Sequence, residues 1–224
     1  MPTPLLQIGL VVGWLGLIGG LAEGLRRTTS ISPEITRKIV HIGAGHVILF
    51  AWWLKTPTWM GLAASVGASA IALLSYRLPL LPGINGVGRD SLGTFFYALS
   101  IGLLTAWFWP QGLFQYAALG ILVMTWGDGL AALIGQRYGR YIYKLWDTQK
   151  SWEGTLTMFV ASLVVCLAIL GAVEGWTGQV VLVSFTVALV ASVLEAFSKF
   201  GVDNLTVPLG SAALAYGLME LLTL

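Results

Sequence analysis

The chain has 224 residues, of which 57% are apolar and only 10% charged, with a mean hydropathy of +0.83 and a formal charge of +2. A soluble domain carries about 25% charged residues, so this composition excludes a water-facing globular enzyme. At about 20 apolar residues per crossing, a chain of this length holds roughly seven or eight spans and little else, which predicts a single integral membrane domain over residues 1–224. The lone cysteine, Cys166, lies in an apolar run and cannot form an internal disulfide.

Eight apolar runs separated by polar or Gly/Pro punctuation are the candidate spans: Leu5–Leu25, Ile39–Leu54, Trp59–Ser75, Leu92–Trp109, Leu113–Ile134, Thr155–Val173, Val180–Phe197 and Leu205–Leu222. They predict an all-α, polytopic transmembrane helix bundle. The first run lacks a basic leader and is longer than a signal-peptide core, so it is read as a retained helix. The second and third are short, which suits a tilted or re-entrant segment.

Basic residues orient the bundle. Arg26, Arg27, Arg37 and Lys38 fall between the first two runs, Arg77 and Arg89 between the third and fourth. Arg137, Arg140, Lys144 and Lys150 fall between the fifth and sixth, and Lys199 between the last two; only Lys55 lies on the other side. An asymmetry of eleven to one puts the basic loops in the cytoplasm and both termini outside. Trp52, Trp53, Trp59, Trp107, Trp109 and Trp176 gather at the opposite ends, as an interfacial aromatic belt does.

The ten acids are scarce enough to take one by one. Glu23, Glu34, Glu174 and Glu220 sit at run ends or in loops, where solvated charge explains them. Asp90, Asp128, Asp147, Glu153, Glu195 and Asp203 all fall toward the cytoplasmic face. Asp128 is inside an apolar run, about 9 Å from its end at 1.5 Å per residue, and Glu195 lies near the inner end of the seventh. An acid at mid-span costs about 2.5–3.5 kcal/mol on insertion scales, so each needs a buried partner or a function.

Four segments then carry possible chemistry. Around Asp128, Gly127, Ala131, Gly135 and Gly139 recur every four residues as a small-residue stripe. Gly127 and Gly129 flank the carboxylate and would let a large anion approach the backbone. The carboxylate itself suits a divalent cation, and Arg137, Arg140 and Lys144 suit phosphate oxygens. Lys150-Ser151-Trp152-Glu153-Gly154-Thr155 opens the sixth span, with Ser151 as an N-cap and free N–H groups behind it. In Glu195…Asp203-Asn204-Leu205-Thr206-Val207-Pro208, Asp203 caps the eighth span or binds metal. Lys38, His41 and Gly45 share a helical face, whereas His46 points about 140° away from His41, so no zinc pair is indicated. Gly86-Val87-Gly88-Arg89-Asp90 reads first as a turn and second as a substrate contact. No Walker A loop, kinase Gly-rich loop, HExxH or serine-elbow motif is present. Acids, bases and glycines sorted to one face of a membrane suit metal-assisted handling of a polyphosphate beside a lipid.

These motifs resemble the CTP-dependent polyprenol kinase family. The resemblance rests on Arg37-Lys38 with His41; Gly127-Asp128-Gly129, Ala132, Gly135 and Gly139; Lys150-Ser151 with Glu153-Gly154-Thr155; and Glu195 with Asp203-Asn204. The Asp203–Pro208 run looks most like the phytol kinase branch. Phosphatidate cytidylyltransferase is related, but its motifs differ from Gly129, Thr148-Gln149-Lys150-Ser151 and Lys199…Asp203 of this chain. The resemblance implies transfer of the γ-phosphate of CTP to phytol or a related isoprenoid alcohol at the cytoplasmic face of a cell inner or thylakoid membrane. Mg²⁺ is the expected cofactor, membrane lipids surround the site, and no nucleic-acid partner is expected. Asp128 and Asp203 are then the expected metal ligands, joined by Glu153 or Glu195; one of the acids could instead be the base for the lipid hydroxyl. Lys38, Arg137 and Lys150 would neutralise phosphate, His41 would orient a phosphate or hydroxyl, and Gly127, Gly129, Gly135, Ser151 and Asn204 would line the nucleotide. A diacylglycerol or dolichol kinase, a cytidylyltransferase, and an ion-coupled carrier using Asp128 and Glu195 are the competing readings.

Overall fold

Prolines and hydroxyl side chains set where the helices begin. Helix α1 (Pro4–Thr28) starts on Pro4, and α2 (Pro33–Gly45) starts on Pro33 behind Ser32, whose Oγ accepts from the Ile35 N–H at 3.4 Å. Next come α3 (Val47–Trp53), α4 (Thr58–Ser75) and α5 (Gly93–Phe108), which runs into a single 3-10 turn at Trp109–Gln111. The long α6 (Phe114–Tyr138) leads to a short hairpin, β1 (Ile142–Leu145) and β2 (Thr148–Ser151). Then follow α7 (Trp152–Glu174), α8 (Gly178–Ala196) and α9 (Asp203–Thr223). The computed structural model describes residues 2–76, 78, 92–145 and 148–223. Arg77, the Gly86–Asp90 loop and Asp147 lie outside the described residues.

Helices α1, α4, α6, α7, α8 and α9 are each long and apolar enough to cross a membrane. The chain is therefore an all-α, multi-pass membrane helix bundle. The run expected as the second span is divided at His46, which separates α2 from α3: its N–H turns to the Gly43 carbonyl, and its Nδ1 lies 2.7 Å from the Ile42 carbonyl oxygen. The short hairpin was not expected. It pairs Ile142 with Ser151 and Leu145 with Thr148 in antiparallel register.

The helix ends sort into two layers. At one end the Leu92 N–H reaches the Phe200 carbonyl at 3.2 Å. At the other, Trp109 Nε1 donates to the Thr56 carbonyl at 2.8 Å and Gln7 Nε2 to the Leu54 carbonyl at 3.3 Å. The described basic residues other than Lys55 belong to the first end. Trp53, Trp59, Trp107 and Trp176 are exposed toward the second end, as an aromatic belt requires. Trp109 departs from that expectation, because its indole is buried and committed to Thr56.

Helix α6 is the axis of the bundle: 67% of its most apolar stretch is buried, against 11% for α1. Lipid tails are as apolar as leucine, so such packing depends on close approach of backbones. A Cβ on Gly120 would sit 2.3 Å from the Pro208 carbonyl oxygen of α9, and one on Gly127 would sit 2.4 Å from Met158 Sδ of α7. One on Gly45 of α2 would overlap the Thr125 side chain of α6.

Cysteine labelling tests the layering. The native Cys166 is fully buried and contributes no background. Single cysteines at Thr29 and Arg140 should label from one side of sealed vesicles, and those at Lys55 and Gly178 from the other. Labelling of Lys55→Cys from the same side as Thr29→Cys would make α2–α3 re-entrant.

Candidate active site

The site forms where α2 is drawn onto the C-terminal half of α6. Gly45 accommodates Thr125, and Gly129 accommodates Ile42, so the first turns of α2 lie beside Asp128. Lys38 Nζ donates to Asp128 Oδ2 at 2.5 Å and to the Asp128 carbonyl at 3.4 Å. Lys38 is only 3% exposed. A lysine so buried is tolerable only with an anion against it, and the same holds for the aspartate.

One turn along α2, His41 Nε2 lies 3.7 Å from Asp128 Oδ2 and has no hydrogen-bond partner. That distance is beyond a hydrogen bond, so the nitrogen faces the carboxylate with its valence open. The imidazole is held from behind by Tyr97 of α5, ring centroids 4.5 Å apart, and the Tyr97 hydroxyl meets Thr125 Oγ1 at 2.9 Å.

A second pair forms beside the first. The hairpin register sets Lys150 of β2 opposite Tyr143 of β1. Lys150 Nζ donates to Glu195 Oε1 of α8 at 2.5 Å and also to the Glu195 carbonyl. Asp203 opens α9, with its N–H on Ser198 Oγ at 2.7 Å. Its Oδ1 accepts from the Asn204 N–H and Nδ2 at 3.1 and 3.2 Å. No basic side chain among the described residues pairs with Asp203, although the charges of Asp128, Lys150 and Lys38 all act on it.

Seven residues named from the sequence thus converge: Lys38, His41, Asp128, Lys150, Glu195, Asp203 and Asn204. The others are placed differently. Glu153 turns to the hairpin, accepting from the Arg140 and Tyr141 N–H groups at 3.0 and 3.2 Å. Arg137 is exposed past the cluster, its guanidinium over the Tyr138 ring. Ser151 is the N-cap of α7, its Oγ accepting from the Gly154 N–H at 3.1 Å. The Cβ positions of Gly127, Gly129 and Gly135 face Met158, Ile42 and Ser151, so these glycines serve helix packing. Tyr97 and Thr125 went unnoticed in the sequence because a hydroxyl in an apolar run carries no charge to mark it.

Among the described residues no three His, Cys, Asp or Glu side chains converge on a closed metal centre. Mg²⁺ does not need one, since it binds through one or two carboxylates and completes its shell with phosphate and water. Asp128 and the cation-free Asp203 supply the hard oxygen donors it takes, so the residues present fit that ion.

The chain is 55% identical to the phytol kinase of Synechocystis sp. over 217 residues, which is 96% of this chain and 93% of the relative. The chain belongs to the phytol kinase family. Phytol kinase 1 (chloroplastic) of Arabidopsis thaliana is 26% identical over 94% of the chain and 76% of its own length. The dolichol kinase of Saccharomyces cerevisiae matches 43% of this chain and 18% of its own length at 36% identity. No family model matches the sequence, and no solved structure matches it significantly. The resemblance carried by the four short motifs is borne out by these relatives. Membership extends beyond the motifs, since the matched region takes in α1 and α9 as well as the site.

Breaking one side of the Lys38–Asp128 pair leaves an uncompensated buried charge, at a cost of about 3–5 kcal/mol. Lys38→Met should therefore lower thermal stability in detergent strongly. Adding Asp128→Asn to it should restore part of the loss. Additive losses in a double-mutant cycle would show that the two side chains do not pair.

Proposed function

We propose that this chain is a lipid kinase that transfers the γ-phosphate of CTP to phytol, giving phytyl phosphate and CDP at the cytoplasmic face of a cell inner or thylakoid membrane. The observation that carries the reading is the acid–base cluster of Asp128, Glu195 and Asp203 with Lys38, Lys150 and His41, built between the helices of a family of phytol kinases. A polar cluster set among apolar spans suits an amphiphilic alcohol, with its hydroxyl at the acids and its tail among the helices. The dolichol kinase relative supports isoprenoid alcohols as the acceptor class. The placement of CTP over ATP rests on the family resemblance, because no residue of the cluster is identified as reading a base.

Asp128 and Asp203 would hold Mg²⁺, which when bound supplies charge neutralisation at the polyphosphate oxygens. The remaining chemistry falls to side chains of the chain. Lys38 fixes Asp128 and lends its charge to the phosphate side of the cluster, and Lys150 does the same through Glu195. The acceptor oxygen forms the new bond to Pγ, the bond from Pγ to the β–γ bridging oxygen breaks, and CDP departs with that oxygen. The hydroxyl proton passes to His41 Nε2, the nitrogen that faces the cluster without a partner. Holding the hydroxyl in line with Pγ needs no covalent enzyme intermediate, since positioning and charge neutralisation supply the rate.

The test is a competition assay on purified protein in nanodiscs with Mg²⁺. γ-Labelled CTP and γ-labelled ATP are compared over phytol, geranylgeraniol, a long polyprenol and diacylglycerol. Label should go chiefly from CTP to phytol, with geranylgeraniol as a side substrate, because small differences in an apolar tail change binding by only about 1–3 kcal/mol. Asp128→Asn should lower turnover by about 10²–10³, the scale of removing one preorganised electrostatic group. Chief transfer to diacylglycerol would replace the acceptor and keep the kinase. Transfer of the cytidylyl group to phosphatidate would overturn the proposal.

A further inference from the structure

The charge balance of the cluster leaves Asp203 without a basic partner among the described residues and one cation paired away from the acids. Lys38 is neutralised by Asp128 and Lys150 by Glu195, each at 2.5 Å, so neither lysine is free for a phosphate. Arg37, the residue before Lys38, is paired instead with Glu34 on its own helix. Its Nη2 donates to Glu34 Oε1 at 2.6 Å and its Nε to Oε2 at 3.0 Å. That two-pronged fork on a carboxylate is the geometry with which arginine also grips a phosphate. The pair joins neighbours one turn apart on α2, with the arginine side chain 32% exposed and the glutamate 14%. The Arg37 charge acts on Asp128, Asp203 and His41, so the guanidinium is within reach of the field of the cluster.

We propose that Arg37 is the exchangeable cation of the site: its guanidinium leaves Glu34 to bind the polyphosphate of the nucleotide donor, and Glu34 is the internal competitor that holds it when no nucleotide is bound. The inference rests on the kinase reading above. It adds a residue and a role, since it assigns nucleotide affinity to a half-buried pair on α2 and leaves Lys38 and Lys150 to hold the acids. No bond to carbon or phosphorus changes in this exchange; one carboxylate partner is traded for a phosphate.

The measurement is the KM for MgCTP at saturating phytol, together with direct binding of MgCTP by calorimetry, on nanodisc-embedded protein. Arg37→Gln should raise KM and Kd by about tenfold or more, the loss of one charge-assisted contact, with kcat changed less than threefold. Arg37→Lys should recover part of the affinity. Glu34→Gln should move the opposite way and tighten binding by about two- to threefold, which loss of a merely structural ion pair would not do. Arg27→Gln removes an exposed arginine at the same end of the bundle, where Arg27 pairs with Glu23, and should leave both constants unchanged. Equal weakening by Glu34→Gln and Arg37→Gln, or an Arg37→Gln protein that binds MgCTP as the parent does, would overturn the assignment of Arg37 while phosphoryl transfer by the parent continued. A parent protein that neither binds nor turns over MgCTP or MgATP would overturn the kinase reading and this inference together.

Discussion

A carboxylate inside an apolar helix must be neutralised where it stands, and the pairing of Asp128 with Lys38 is the constraint from which the rest of the site follows. Asp128 is ten residues before the end of α6, and its side chain is only 14% exposed. Lys38 comes from the second turn of α2, and it can only arrive if α2 packs tightly against α6. Gly45 and Gly129 provide that approach, since a methyl group at either would overlap Thr125 or Ile42. Small residues along the bundle and the charge pair at its end are therefore one design: the former set the distance that the latter needs.

The same logic repeats on the other flank of α6. Gly135 and Gly139 let Ser151 and the start of α7 close on the helix, and Ser151 then caps α7. This contact fixes the hairpin, with Glu153 bridging back to the Arg140 and Tyr141 N–H groups. Lys150, one residue before the cap, is thereby aimed at Glu195. Glu153, expected as a possible catalytic acid, accepts from the N–H groups just ahead of β1, the strand that pairs with the one carrying Lys150.

The bundle, its layering and the need of Asp128 for a buried partner were legible in the sequence because each reflects a large local cost: apolar length, charge asymmetry, and an acid inside an apolar run. The partners of the acids were not legible. Lys38 and Asp128 are 90 residues apart and Lys150 and Glu195 are 45 apart, so only the packing of helices decides which base meets which acid. The glycines around Asp128 were read both as a packing stripe and as an anion approach, and their Cβ positions face the neighbouring helices and the Ser151 cap. The hairpin strands are four residues each, too short for an alternating pattern to stand out from a loop. The division of α2 from α3 had no proline to announce it; it falls at His46, beside the glycines of the α2 end.

Depth along the bundle explains why these particular elements make the site. Glu195 is one residue from the end of α8 and Asp203 is the first residue of α9, so both acids sit at helix ends. Helix α6 continues past Asp128 for ten residues, about 15 Å at 1.5 Å per residue, and the hairpin hangs from that extension. A polar reactant coming from the aqueous side meets the overshooting end of α6 and the hairpin before it meets the acids. An apolar reactant coming from the bilayer meets the same acids from the level of the α8 and α9 ends. The paired lysines neutralise Asp128 and Glu195, while Asp203 has no basic side-chain partner among the described residues. On the proposed function, a cluster balanced in this way is suited to bring together a polyphosphate and a lipid hydroxyl, two groups that do not share a solvent.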